Sequence, residues 1–248
     1  MTATPLRQSS PPSTSVPERV AALDWTRIAA ELDEHGYATT GTLLRDSECA
    51  ALISSYDDPA AFRSTVVMAR HGFGRGEYRY FAYPLPDTVQ ALRAAFYPPL
   101  AVIANRWSAA LRRDANYPEE LQRYLAACRR AGQKRPTPLL LKYEEGDYNC
   151  LHRDLYGDEV FPLQATILLS DPASDFSGGE FVLTEQRPRL QSRAAVVPLA
   201  RGEGVIFAVN ERPVQGKRGT YRAAMRHGVS RLRSGRRFTL GVIFHDAR

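Results

Sequence analysis

Up to about residue 135, apolar positions recur mainly at helical spacing. Leu23, Ile28 and Leu32 mark one face of a helix that stops at His35-Gly36, and Asp46-Ser47-Glu48 opens a second, short one. A longer helix is predicted from about Asp87, interrupted near Pro98-Pro99 and continuing through Trp107 to Leu111. Another runs from Pro118 to about Arg130, with Gly132 as its stop. Thr65–Ala69 and Tyr78–Tyr83 read as strands among them. From Pro136 the pattern turns β-rich: Leu139–Tyr143, Phe161–Leu169, Glu180–Leu183, Ala194–Val197, Gly204–Val209, Arg222–His227 and Arg237–Phe244 are short runs separated by Gly, Pro, Asp and Ser. Many short strands at even spacing predict a jelly roll, here preceded by packing helices. The expected organisation is a disordered tail over 1–17, a helical and mixed part over 18–135, and a β core over 136–248. The tail contains Ser9-Ser10-Pro11-Pro12-Ser13 and lacks the apolar stretch of a secretory signal.

Composition narrows the class. With 44% hydrophobic and 24% charged residues the chain has what a folded interior needs, and no run is long enough to span a bilayer. Three cysteines, Cys49, Cys128 and Cys150, are odd in number and lack metal-ligand spacing, which predicts a reducing, cytoplasmic setting without a disulfide framework. The net charge of +6 is unevenly distributed: residues 186–248 hold 14 Arg or Lys against three acids. Two readings of that basic region stay open: a surface that neutralises phosphates, and a solvated surface around a pocket for a small dianion. The segments 186–193 and 211–222 are the expected phosphate contacts, as basic loops flanking the barrel mouth.

The chemistry lies in spacing. His152-Arg153-Asp154 puts an imidazole and a carboxylate at i and i+2, which face the same side of an extended chain. His227, at the end of a predicted strand, adds a second imidazole. Two His and one carboxylate on one face of a metal leave the opposite face open, an arrangement suited to non-haem iron(II). Arg237 opens the last predicted strand and shares a face with Thr239, opposite Phe238, Leu240, Val242 and Phe244. A guanidinium fork with a hydroxyl beside it suits the distal carboxylate of a dicarboxylic keto acid.

These residues carry a resemblance. Tyr143-x-x-Gly146-x-Tyr148-x-x-x-His152-x-Asp154, then Gly178-Gly179-Glu180-Phe181, then His227 with Arg237, resembles the iron(II)/2-oxoglutarate dioxygenase superfamily in its prolyl-hydroxylase-like branch. The chain is closer still to a bacterial family of oxygenases described as acting on damaged nucleic acid. That likeness rests on Arg70-His71-Gly72-Phe73-Gly74-Arg75-Gly76-Glu77-Tyr78, Tyr83-Pro84-Leu85-Pro86, Arg135-Pro136-Thr137-Pro138-Leu139-Leu140-Leu141, Gly146-Asp147-Tyr148-Asn149-Cys150-Leu151-His152 and Arg226-His227-Gly228-Val229-Ser230, and runs from about Trp25 onward. Arg153 departs from it, standing where Gln is expected. The resemblance implies a double-stranded β-helix; iron(II) held by His152, Asp154 and His227; and 2-oxoglutarate and oxygen as co-substrates, with ascorbate in support. It further implies that Tyr143 borders the co-substrate and that Thr166 matches a threonine of the hydroxylase pattern. The implied reaction hydroxylates a C–H bond and releases succinate and carbon dioxide; on an N-methyl group it would end in loss of formaldehyde, repair by demethylation.

Other readings are a protein (prolyl-type) or small-molecule hydroxylase, a cupin-like metal enzyme that does not use 2-oxoglutarate, and a non-catalytic anion-binding module. The residues do not fix the oligomeric state. For the glycine-rich segment 70–78 a substrate-facing loop and an ordinary turn are both open. His35 and His245 read as structural.

Overall fold

Alternation in the last strand organises the chain. In the computed structural model, which describes residues 14–217 and 219–248, Phe238, Leu240 and Val242 turn to one face and Arg237 and Thr239 to the other. Every strand is paired antiparallel. The larger sheet runs in the order β1 (Tyr37–Thr42), β11 (Glu203–Ala208), β7 (Leu163–Leu168), β14 (Leu232–Val242), β5 (Leu139–Glu144), β4 (Glu77–Phe81), β2 (Phe62–Val67), with β8 (Phe176–Gly178) on β14. The smaller runs β10 (Arg193–Val197), β9 (Phe181–Gln186), β13 (Gly219–Val229), β6 (Tyr148–His152), β3 (Gly74–Arg75), with β12 (Glu211–Gly216) on β13. Together they form the double-stranded β-helix, with a polar-lined cavity between their facing sides.

Helices cover the other side of the larger sheet. Leu163, Ala165, Ile167, Leu240, Val242 and Ile206 point outward from β7, β14 and β11 into the main core. They meet Ile28 and Leu32 of α2 (Trp25–His35), Phe96, Tyr97, Leu100 and Trp107 of α4 (Asp87–Ala110), and Tyr124 of α5 (Leu121–Arg130). Helices α1 (Val16–Ala21) and α3 (Asp46–Ser54) close the edge. Among the described residues no helix is long and apolar enough to cross a membrane.

Four expectations are corrected. The long helix does not break at Pro98-Pro99: α4 runs unbroken for 24 residues. Tyr97, Leu100, Ala101 and Ala104 are buried around the prolines, so packing on both sides holds the turn that has lost its backbone donors. Helix α5 starts at Leu121 rather than Pro118. The tail ends earlier than residue 17, because Ser15 and Glu18 form a reciprocal capping box that starts α1 at Val16; residues 1–13 lie outside the described residues. Finally, 211–222 is not a loop. It is the hairpin of β12 and β13, with Arg218 outside the described residues.

A buried ion pair ties the helical layer to the end of the chain. Arg93 of α4 is fully buried, meets Asp246 at 2.8 Å, and donates to the carbonyls of Ile243 and Phe244 at 2.9 and 3.0 Å. Its fourth partner is the Tyr83 hydroxyl, at 2.8 Å. Removing one member of such a pair strands the other in low dielectric. Arg93→Ala is expected to cost about 3–5 kcal/mol in urea denaturation. The same change at Arg113, whose pair with Glu211 lies near the surface, is expected to cost no more than about 1 kcal/mol.

Candidate metal centre

Residues opposite one another in an antiparallel ladder put their side chains on the same face. His227 of β13 stands directly opposite His152 of β6, and both imidazoles turn inward with ring centroids 4.2 Å apart. Asp154 follows two residues beyond the end of β6 and brings its carboxylate between them: Oδ1 is 3.5 Å from His152 Nε2 and Oδ2 is 3.3 Å from His227 Nε2. One ligand atom from each of the three lies within 4.8 Å of the others, the spacing a single ion needs. The ring of His152 is oriented by a 2.7 Å contact between Nδ1 and the Cys150 carbonyl, which turns Nε2 toward Asp154. His227 is wedged against Phe207 and Phe181, with centroids at 4.6 and 6.0 Å.

The electrostatics favour a cation here. Burial opposes the charge on Asp154, but the contacts with His152 and His227 outweigh it and hold the carboxyl well below its usual range. Burial also opposes protonation of His152, and its contacts with Asp154 reverse the balance, leaving the imidazole raised. At His227 burial wins, reinforced by the neighbouring His152, and the imidazole is lowered. The result is an ionised carboxylate between two imidazoles, with Asp154 and His227 buried.

The opposite end of the cavity carries the complementary charge. Arg237 is buried, and no carboxylate of the described residues lies within ion-pair distance. Its Nη1 donates to Thr239 Oγ1 at 2.5 Å, and its Nε has no partner. The guanidinium sits 5.7 Å from the Tyr143 ring and 5.9 Å from that of Phe176. Burial pushes Arg237 down to about 10, despite the nearby Tyr143 and Glu180. A buried cation with a free donor and no carboxylate beside it could hold an anion.

The cavity between these ends measures ≈ 170 Å³ and gathers every predicted site residue: His152, Asp154, His227, Arg237, Thr239, Tyr143 and Thr166 all line it. Thr166 is partly occupied, since its hydroxyl donates to the Leu240 carbonyl at 3.3 Å. Among the lining residues that sequence reasoning missed are Gln164, Asn149, Tyr156 and Phe73. Gln164 is buried with its Oε1 unpartnered, and lies two positions before Thr166 on the inner face of β7; a polar residue at an inward position was the available signal. Asn149 donates to the Tyr143 hydroxyl at 3.4 Å. Tyr156 donates to Asp154 at 2.6 Å. Phe73 comes from the glycine-rich segment: β3 pairs with β6, and the Phe73 carbonyl accepts from Cys150 N at 2.9 Å, so this segment lies against the strand that carries His152. Gly74 permits the approach; a Cβ there would stand 2.3 Å from the Tyr148 carbonyl oxygen.

The basic segments are placed differently from expectation. Among the described residues, none of 186–193 or 211–222 lines the cavity. Arg212 is buried, clasps Glu185 and donates to the Asp33 and Glu34 carbonyls at the end of α2. Arg187 and Arg193 also reach Glu185, at 2.6 and 3.5 Å. Much of the apparent surplus charge there is internal bracing.

Comparison with known proteins agrees with this geometry. Residues 76–247 match the model of a family described as "Oxygenase, catalysing oxidative methylation of damaged DNA". The uncharacterized protein Rv2227 of Mycobacterium tuberculosis is 50% identical over 167 residues, 67% of this chain and 72% of its own length. Among solved structures, an oxidoreductase of the 2OG-Fe(II) oxygenase family from Burkholderia pseudomallei superposes with a TM-score of 0.53 at 16% identity, covering 90% of this chain and 92% of its own. A prolyl hydroxylase from Trichoplax adhaerens, in complex with a hypoxia inducible factor peptide, gives 0.53 at 12% identity, with 90% and 89% covered. At these identities the two structures speak for the fold alone.

The close contact of β13 with β6 is what holds the imidazoles together. Gly228 follows His227, and a Cβ there would lie 2.7 Å from the Asn149 carbonyl oxygen. Gly228→Ala is expected to destabilise the fold by about 1–3 kcal/mol through overpacking, read as a lower urea midpoint.

Proposed function

The chain belongs to this oxygenase family and is an oxidoreductase, and we propose that it is an iron(II)- and 2-oxoglutarate-dependent dioxygenase whose substrate is a methylated nucleobase. The observation that carries the cofactor reading is the pairing of two opposite, buried charges at the ends of one cavity. His152, Asp154 and His227 would hold iron(II), with Nε2 of each imidazole and one carboxylate oxygen as donors. Arg237 and Thr239 would hold the distal carboxylate of 2-oxoglutarate, with Tyr143 along its side and Thr166 within the same lining.

Formal charge supports the match. Asp154 contributes one negative charge and Arg237 one positive. A divalent cation and a dianionic keto acid add two of each sign, so the filled cavity is neutral, which a low-dielectric interior favours. When bound, iron with 2-oxoglutarate and oxygen supplies oxidative decarboxylation and the hydroxylation of a C–H bond. The protein's part is to present three donors on one side, to fix the co-substrate by its far end, and to keep bulk water out with Phe181, Phe207 and Val229. The cupin-like alternative leaves the buried, unpaired Arg237 without a role.

For the substrate, the supporting feature is Phe73. It is about half exposed at 47%, lines the same cavity, and stacks on His71 with centroids 5.3 Å apart and planes 25° from parallel. Arg70, Arg75 and Arg153 are exposed around it. An aromatic face beside basic side chains at a cavity mouth suits a flat base whose backbone is anionic. Oxidation of an N-methyl carbon there would release formaldehyde and restore the base. A protein or small-molecule substrate is the competing outcome.

Anaerobic titration of the protein with iron(II) and 2-oxoglutarate is expected to give a weak visible charge-transfer band that requires both. It should vanish in His152→Ala and Asp154→Ala. In Arg237→Lys the 2-oxoglutarate concentration needed should rise by roughly 10- to 100-fold, the loss of a charged hydrogen bond worth about 1.5–3 kcal/mol. Absence of any band from folded, iron-loaded protein would remove the co-substrate from the reading.

Phe73→Ala is expected to weaken binding of a methylated single-stranded oligonucleotide by about 1–3 kcal/mol, the worth of one stacked base, while the charge-transfer band stays intact. Turnover of peptides or metabolites but of no oligonucleotide would replace the nucleic-acid substrate.

A further inference from the structure

We propose that Tyr156 is a positioning residue that fixes how Asp154 presents its carboxylate to the metal, an inference that rests on reading His152, Asp154 and His227 as metal ligands. The two imidazoles are placed by a paired ladder, but Asp154 is not. It stands beyond the last residue of β6, where no strand partner constrains it. Its side chain is nonetheless buried. Something else must hold it.

The Tyr156 hydroxyl does so. It donates to Asp154 Oδ1 at 2.6 Å, the length of a strong hydrogen bond to a charged acceptor. Among the described residues it is the only hydrogen-bond donor to that carboxylate apart from the two imidazoles. The phenol is itself fixed by packing. Its ring meets Tyr80 edge-on, with centroids 6.2 Å apart at 89°, and lies 6.0 Å from the ring of His245. Tyr156 also packs against the small cluster of Tyr80, Leu139 and Ile243 on the inner face of the larger sheet. The spacing His152-x-Asp154-x-Tyr156 therefore joins a ligand set by the smaller sheet to a brace set by the larger one.

The consequence for a metal is specific. With Oδ1 engaged by Tyr156, Oδ2 is the oxygen left to ligate, and the carboxylate binds through one atom. Without the hydroxyl, Oδ1 is buried and unsatisfied, a state that costs free energy. The carboxylate then relieves it by turning both oxygens to the metal, which fills a position the reaction needs open, or by rotating away. Either change alters affinity and ligand field before any substrate is present.

The test uses metal alone. Mn(II) binding to the full chain is followed by the EPR signal of the free ion, and the visible spectrum is recorded for the Co(II)-loaded protein. Tyr156→Phe is expected to weaken Mn(II) binding by ~10- to 100-fold, as loss of an outer hydrogen bond to a ligand does, and to change the Co(II) spectrum. Ile243→Val, which trims the packing around the Tyr156 ring and leaves its hydroxyl and the Asp154 contact in place, should change neither. Tyr156→Gln, which keeps a donor at that position, should recover part of the affinity and serves as the variant of record if Tyr156→Phe does not fold. Unchanged affinity and spectrum in Tyr156→Phe, with the wild type binding metal, would overturn the role of Tyr156 alone. Equal losses in Ile243→Val would assign the effect to packing and overturn it too. A wild type that binds no Mn(II) or Co(II) would instead overturn the metal centre itself.

Discussion

The register between β6 and β13 is the constraint on which the site depends. With His152 opposite His227, two residues 75 positions apart share one face, and the carboxylate two residues on falls between them. A slip of one position would turn one imidazole to the outside of the sheet, because side chains alternate. The register is protected locally. Gly228 and Gly74 allow β13 and β3 to approach β6 more closely than any side chain would permit, and Phe207 and Phe181 fill the space behind His227. The helical layer contributes at a distance, by burying the outward residues of β7 and β14 so that their polar neighbours must face the cavity.

The cavity holds two buried opposite charges. An ionised Asp154 is tolerated because two imidazoles and a phenol surround it; an ionised Arg237 has only a threonine hydroxyl and aromatic faces. The asymmetry is informative. Elsewhere this chain satisfies its buried arginines fully: Arg93 has Asp246 and carbonyls, and Arg212 has Glu185 and the end of α2. Arg237 is the buried arginine with an unpartnered Nε. Among the three fully buried arginines Arg237 is the one left without a carboxylate and with an open donor, which supports the proposed carboxylate anchor.

How much of this was legible in the sequence follows from what each feature depends on. The alternation Arg237-Phe238-Thr239-Leu240 is local, so the last strand and its two faces could be read directly, as could the i, i+2 relation of His152 and Asp154. The meeting with His227 was legible only through the resemblance, since no local rule sets a register across 75 residues. Pro98-Pro99 misled because backbone chemistry argues for a break while burial of Tyr97, Leu100 and Ala101, which is tertiary, holds the helix together. Tyr156 was invisible because its significance is a direction, into a cavity that exists only when both sheets are assembled, and Gln164 offered only the faint signal of a polar residue at an inward strand position.

The basic C-terminal region shows the same distinction in charge. A count of Arg and Lys measures neither exposure nor pairing. Glu185, one acid, engages Arg187, Arg193 and Arg212 together, so three arginines that looked available for phosphate are bound to the fold's own carboxylate. Phosphate contact would therefore have to compete with an existing ion network at Arg187 and Arg193, and would have to unfold the end of α2 to reach Arg212. Arg70 and Arg153 face no comparable cost: both are exposed without an ion pair among the described residues, Arg70 in the turn before Phe73 and Arg153 between His152 and Asp154, whereas Arg75 meets Asp147 at 3.7 Å. Exposed charge free for an anion therefore stands beside the cavity at Arg70 and Arg153, and also over the basic C-terminal part at Arg189, Arg222, Arg226, Arg231, Arg233 and Arg236.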